Sequence, residues 1–138
     1  MIYHVNRIKL KADAPSAQVE EALESLRNQG RQVSSVKSFV VGRDHGADFD
    51  WGATYVIEDL DGLWEYLTHP ATLNSDKVGL PVVERLDIFD ISDDEDPELA
   101  AKIEELHRRR NELSPETHEM LADVPAYLGA GLEDDPKN

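Results

Sequence analysis

His4 is the first residue of this chain that can do chemistry. It lies in Ile2-Tyr3-His4-Val5-Asn6-Arg7-Ile8-Lys9-Leu10, where Ile2, Ile8 and Leu10 share its parity. A strand here therefore turns His4 toward apolar surroundings. A neutral imidazole in such a place can carry a proton to or from a carbonyl substrate. The bland counterpart is a buried histidine satisfied by a backbone carbonyl or a water. Asn6 shares the face and can orient a carbonyl or a water, and two polar side chains on one buried face call for partners. Tyr66 and His69 are three apart on a helical pattern, hence on one helical face. Tyr66 suits a donor to a developing oxyanion. His69, directly before Pro70, suits a helix-end group bonding the last carbonyls. Phe49, Trp51 and Trp64 can line an aromatic pocket for a planar ligand, with core packing the ordinary role of Trp64. Asp44, His45, Asp48 and Asp50 crowd one loop with hard-cation ligand types, but their spacing matches no ligand motif, and no metal is expected. No phosphate-binding glycine loop, Ser-His-Asp order or paired-carboxylate signature is present, and no cofactor is expected.

These residues need elements to hold them. The alternation from Ile2 to Lys11 predicts a first strand. Ala14-Pro15-Ser16 supplies a break and an N-cap, and Val19, Ala22, Leu23 and Leu26 form the stripe of an amphipathic helix that Gly30 stops. Val33–Gly42 is a second strand, followed by a turn over 43–48. Trp51–Glu58 is a third strand, in which Gly52 suggests a bulge or a close approach. Asp61–Thr68 is a short helix ended at His69-Pro70, and Val82–Ile91 is the fourth strand. The order β-α-β-β-α-β describes an α+β, ferredoxin-like unit. Two helices leave much of a four-stranded sheet uncovered, so a homodimer formed by the sheet faces is expected.

Several segments resemble the stress-responsive A/B barrel (Dabb) family. They are Met1-Ile2-Tyr3-His4-Val5, Phe49-Asp50-Trp51, Glu58–Leu63, Tyr66-Leu67-Thr68-His69-Pro70-Ala71 and Val83–Asp90. The initial His together with Tyr-x-x-His-Pro at this separation is fairly specific. The resemblance covers residues 1–92 and implies a dimeric α+β barrel, two ferredoxin-like units packed sheet to sheet. Most members of that family have no assigned activity. A few plant members are polyketide cyclases with histidines and a tyrosine in a pocket between sheet and helices. By that resemblance His4 and Tyr66 are the matching catalytic positions. The family's third-strand histidine falls at Trp51, and the histidine that follows its His-Pro pair falls at Thr72.

A second region, 93–138, opens on Ser92-Asp93-Asp94-Glu95-Asp96-Pro97 and carries 5 basic against 14 acidic residues, compared with 9 against 15 before it. Asp96 and Pro97 mark a helix start. Leu99, Ile103, Leu106 and Leu113 give a narrow apolar stripe, and Arg108-Arg109-Arg110 sits near the end, where cations suit the helix dipole. A short helix follows from Pro115 to about Asp123. His107 and His118 are expected to be exposed, and Glu133–Asn138 disordered. This acidic helical extension has three possible seats: its own barrel, the dimer mate or another protein.

Composition removes whole classes of function. The 138 residues carry 29 acidic and 14 basic side chains, net −15, a field that repels nucleic acid and anionic membrane. There is no cysteine, so no disulfide, thiolate metal site or cysteine nucleophile. No apolar run is long enough to span a membrane and no signal peptide is visible, so a cytoplasmic protein is expected. Three functions remain. One is a small-molecule lyase, cyclase or isomerase acting on an aromatic or polyketide-like carbonyl compound, with His4 as acid or base, Tyr66 as donor, and Asn6, Trp51, Phe49, His69 and Thr72 about the substrate. Another is a non-catalytic stress or interaction protein acting as an oligomer. The third is haem-degrading oxygenase chemistry, for which Asn6 lies in a comparable place.

Overall fold

The computed structural model describes residues 1–130, so the expected disorder of Glu133–Asn138 lies outside the described residues. Along the chain run β1 (Ile2–Leu10), α1 (Ser16–Gln32), β2 (Val36–Arg43), β3 (Trp51–Ile57), α2 (Leu60–Thr68), α3 (Pro70–Gly79), β4 (Val83–Ser92), α4 (Leu99–Leu113), α5 (Pro115–Ala122) and β5 (Ala126–Leu128). The sheet order is β2-β3-β1-β4-β5, antiparallel except where β5 lies parallel to β4. The first four strands and their helices are the α+β ferredoxin-like unit.

The strand parity read from β1 holds: Ile2, His4, Asn6 and Ile8 are all buried. Three local expectations change, and a fifth strand is added. Gly30 does not stop α1, which runs on to Gln32; a β-carbon there would fall on the Phe39 ring, so this glycine permits a close helix–strand approach. Gly52 is in regular register with both Arg7 and Gly42, and the ladder shifts lie instead at Lys9/Leu10 and Val36/Ser38. Pro70 ends α2 but also occupies the first turn of α3, where its missing N–H costs nothing. β5, at the far edge of the sheet, is too short to show a period of two.

Two clusters form the core, both on the helical side of the sheet. Ile2, Tyr55, Ile57, Leu63 and Leu67 pack with Leu99 and Ile103 of α4. Ile8, Leu80, Val83 and Leu86 pack with Leu121 and Val124 at the end of α5. The extension thus sits on its own barrel unit. α4 begins at Leu99, two residues later than Pro97 suggests, after Asp96 accepts a hydrogen bond from the Glu98 N–H at 2.9 Å. Leu106 is half-buried and Leu113 exposed, and the buried face of α4 runs instead through Leu99, Ile103, His107 and Arg110. His107, expected in solvent, is 1% exposed. His118 is exposed.

Among the described residues, the opposite face of the sheet carries no helix. Tyr3, Val40, Phe89 and Ile91 project from it, between 40% and 63% exposed. They share a parity opposite to His4, as the pairings Tyr3–Ile91 and Val5–Phe89 require.

Candidate active site

Across the β1–β4 ladder, His4 stands directly opposite Asp90, so both side chains leave the sheet on the helical side. His4 Nδ1 and Asp90 Oδ1 are 2.8 Å apart. Burial alone would raise the Asp90 pKa, but attraction to His4 and their hydrogen bond outweigh it and hold the carboxyl below its usual range. An ionised Asp90 requires the His4 proton on Nδ1. Nε2 is then the basic nitrogen, and it has no hydrogen-bond partner among the described residues. Tyr66, on the buried face of α2, meets the His4 ring edge to face at 5.1 Å between centroids. Burial first, then the neighbouring Tyr55 and Asp76, push the Tyr66 pKa well above that of an ordinary phenol, so this hydroxyl keeps its proton.

Beneath the helices lies a cavity of about 80 Å³, bordered by His4, Asn6, Trp51, Tyr66 and Thr72 among others. These five expected site residues are brought together; two others are not. Phe49 sits under the guanidinium groups of Arg7 and Arg85, 4.3 and 4.9 Å from its ring centre. Arg7 has the parity of the outer sheet face, which takes Phe49 away from the cavity. His69 caps both helices: its side-chain Nδ1 accepts from the Ala71 N–H at 3.0 Å at the start of α3, and its backbone N–H, not its ring, reaches the Tyr66 carbonyl at the end of α2 at 3.4 Å. Thr72 accepts from Gln29 Nε2 and donates to the Tyr66 carbonyl, which fixes α3 against α1 and α2. Asn6 donates to the Ala53 carbonyl at 3.2 Å. Trp51 walls the cavity with Arg43 over its ring at 4.3 Å. Trp64 is only half-buried, with Arg109 over it.

Gln29, Asp76, Asp90, His107 and Arg110 escape the sequence reading. Asp90 lies in an alternating strand where Leu86 and Ile88 share its inward face; its position opposite His4 is knowable only from register. Asp76 borders the cavity, and burial pushes its carboxyl up to about 6 although Arg110 acts in the opposite sense. The His107 ring centre lies 5.8 Å from that of His4, and neither of its nitrogens has a hydrogen-bond partner among the described residues. Burial pushes its pKa down to about 3, so it is a neutral imidazole at neutral pH. Arg110, 7% exposed, completes the α4 side of the cavity.

Metal-ligand types also differ from expectation. The acidic loop is engaged structurally: Asp44 pairs with Arg7 at 2.7 and 2.9 Å, and Asp50 accepts from the Leu10 N–H. His4, Asp90 and His107 instead present ligand-type atoms within 4.8 Å of one another, a nitrogen–oxygen set of the kind that holds transition metals. A haem does not enter a cavity of 80 Å³.

The family model described as the stress responsive A/B barrel domain matches residues 2–93. The chain belongs to the stress-responsive A/B barrel family. No curated protein matches its sequence. Among solved structures, an Arabidopsis thaliana protein is 18% identical with a TM-score of 0.60, over 70% of this chain and 98% of its own. A hydroxynitrile lyase from Passiflora edulis is 17% identical with a TM-score of 0.61, over 69% and 94%. A dimeric ferredoxin-like protein of unknown function from Thermobifida fusca is 18% identical with a TM-score of 0.60, over 66% and 89%. At these identities the likeness is one of fold. The barrel family match ends where the extension begins, so His107 and Arg110 lie outside it. No helix among the described residues is long and apolar enough to cross a membrane.

Proposed function

We propose that this barrel protein binds a small carbonyl compound in the cavity between sheet and helices and acts on it by acid–base chemistry, as a lyase, cyclase or isomerase. The observation that carries the reading is the His4–Asp90 hydrogen bond beside a protonated Tyr66, with His4 and Tyr66 on the wall of one cavity and Asp90 behind His4. Asp90 holds the His4 tautomer and stabilises the imidazolium that forms when Nε2 takes a proton. Tyr66 then donates to the oxygen on which negative charge develops. An apolar cavity keeps both interactions strong by excluding water. A lyase among the fold neighbours supports this direction. The space available narrows the ligand: a cavity of 150 Å³ admits benzene, so 80 Å³ suits a compound of a few carbons, smaller than a polyketide.

The test is a thermal-shift screen of short aldehydes, ketones and keto acids, since a ligand that binds only the native state raises the melting temperature. For a compound that is turned over, His4→Ala lowers kcat by ~100-fold or more, the usual scale for a positioned acid–base group. Ligand binding with turnover equal in the variant assigns the chemistry elsewhere. Absence of any binder favours a non-catalytic interaction protein.

We further infer a homodimer through the bare sheet face. Tyr3, Val40, Phe89 and Ile91 make that face apolar in a chain otherwise rich in charge. Sedimentation is expected to show a dimer at micromolar concentration, and Phe89→Arg to weaken it at least a hundredfold. A monomeric parent protein ends this part of the reading.

A further inference from the structure

We propose that the ligand of this cavity carries a carboxylate, bound by Arg110 with a second hydrogen bond from His107. The proposal rests on the cavity being a ligand site and names the chemistry of its occupant. Arg110 stays charged under all ordinary conditions, and a charge taken out of water needs an opposite charge or a full set of hydrogen bonds. It has neither. Its Nε donates to the Asn111 side-chain oxygen at 2.9 Å, and one terminal nitrogen reaches the Leu67 carbonyl at a long 3.5 Å. No carboxylate comes within 4.0 Å of the guanidinium among the described residues. Of five N–H groups, three have no acceptor among the described residues.

The neighbours repeat the pattern. The Asn111 side-chain nitrogen and both His107 nitrogens are buried without partners. Native structures leave few buried polar atoms unpaired, and three within five residues of one helix face point to a missing group. Of these residues His107 and Arg110 border the cavity; Arg110 contributes donors in excess, and His107 has one donor in either neutral tautomer. The missing group is therefore an acceptor with two or more oxygens, which a carboxylate supplies in the bidentate form that guanidinium groups favour.

The other groups on the cavity wall allow this. Asp76 of α3 is the one acidic side chain there among the described residues; it feels the Arg110 charge but forms no hydrogen bond or ion pair with it, so the guanidinium edge stays open to a ligand that must compete with Asp76. Gln29 of α1 and Thr72 of α3 are already bonded to each other. His4 is engaged by Asp90, farther along the wall. A carboxylate seated on Arg110 leaves the remaining atoms of a small ligand in the apolar part of the cavity, near Tyr66 and the His4 ring.

The experiment compares butanoate with its neutral amide, butanamide, on the full chain. Binding is followed by calorimetry and by thermal shift at constant ionic strength. Butanoate is expected to bind at least tenfold more tightly than butanamide, and Arg110→Gln to remove that preference. Because Arg110 is buried, the acid–amide comparison on the parent protein decides the matter even if the variant fails to fold. Equal binding of acid and amide overturns the carboxylate proposal while the cavity reading stands. A protein stabilised by zinc through His4, Asp90 and His107, and indifferent to butanoate, also overturns it. If neutral carbonyl compounds and butanoate alike fail to bind, both readings fall together.

Discussion

Removal of residues 94–138 is expected to leave a chain that does not fold cooperatively at 37 °C. The extension fills both core clusters: Leu99 and Ile103 close one, and Leu121 and Val124 close the other. All four are at most 9% exposed. Burying such side chains stabilises by roughly 1.5–3 kcal/mol each, so four of them account for roughly 6–12 kcal/mol. That is comparable to the whole stability of a domain, roughly 5–15 kcal/mol. Truncation also uncovers the apolar surface on which they rest. A circular-dichroism melt should lose its sharp transition, and the truncated protein should bind a hydrophobic dye and aggregate. A truncated chain that melts within a few degrees of the parent would show that the barrel unit is complete without its extension.

His107→Met is expected to produce a protein that resists acid better than its parent. The folded His107 titrates near 3 because burial opposes its charge, against about 6.5 when unfolded. Below 6.5 the unfolded chain therefore takes up a proton that the folded chain refuses, and stability falls as the pH drops toward 3. The difference amounts to about 2 kcal/mol at pH 5 and about 4 kcal/mol once the pH reaches 3. Methionine has nearly the same volume and nothing to protonate. It also removes two unpartnered nitrogens, so the variant should equal or exceed the parent at pH 7.5. Asp76 works in the opposite sense: its raised pKa means that stability is lost as the pH rises from about 4 through 6. The gap between variant and parent in urea titrations at pH 5.0 and 7.5, and not the parent curve alone, isolates His107. Equal losses in both proteins on acidification would place His107 in contact with water.

The two experiments bear on one feature. A histidine held on a helix face without partners weakens the empty protein, as groups kept for binding commonly do. The segment that supplies it lies beyond the family match yet builds part of the cavity wall. What the extension adds to this barrel is both a share of the core and the polar groups along one side of the site.

Local pattern alone determined a good part of this protein. The period of two in Ile2–Leu10 turns His4 and Asn6 inward, and the order of four strands and two helices suffices for the ferredoxin-like unit. Tyr66 is legible from the Tyr-x-x-His-Pro segment, and the structure places it on the buried helical face with Leu63 and Leu67. Phe49 and His69 were misplaced because they stand in connections, where no period assigns a face: one lies under arginines of the outer sheet surface, and the other caps a helix that its own proline begins. Only the tertiary structure decided the partners. Asp90 meets His4 through strand register 86 residues away in sequence. His107 and Arg110 break the hydrophobic stripe of α4 and so read as solvent-facing, because apolar periodicity registers burial only when the buried residue is apolar. Their burial follows from the seating of α4 by Leu99 and Ile103, and that seating is a property of the whole core.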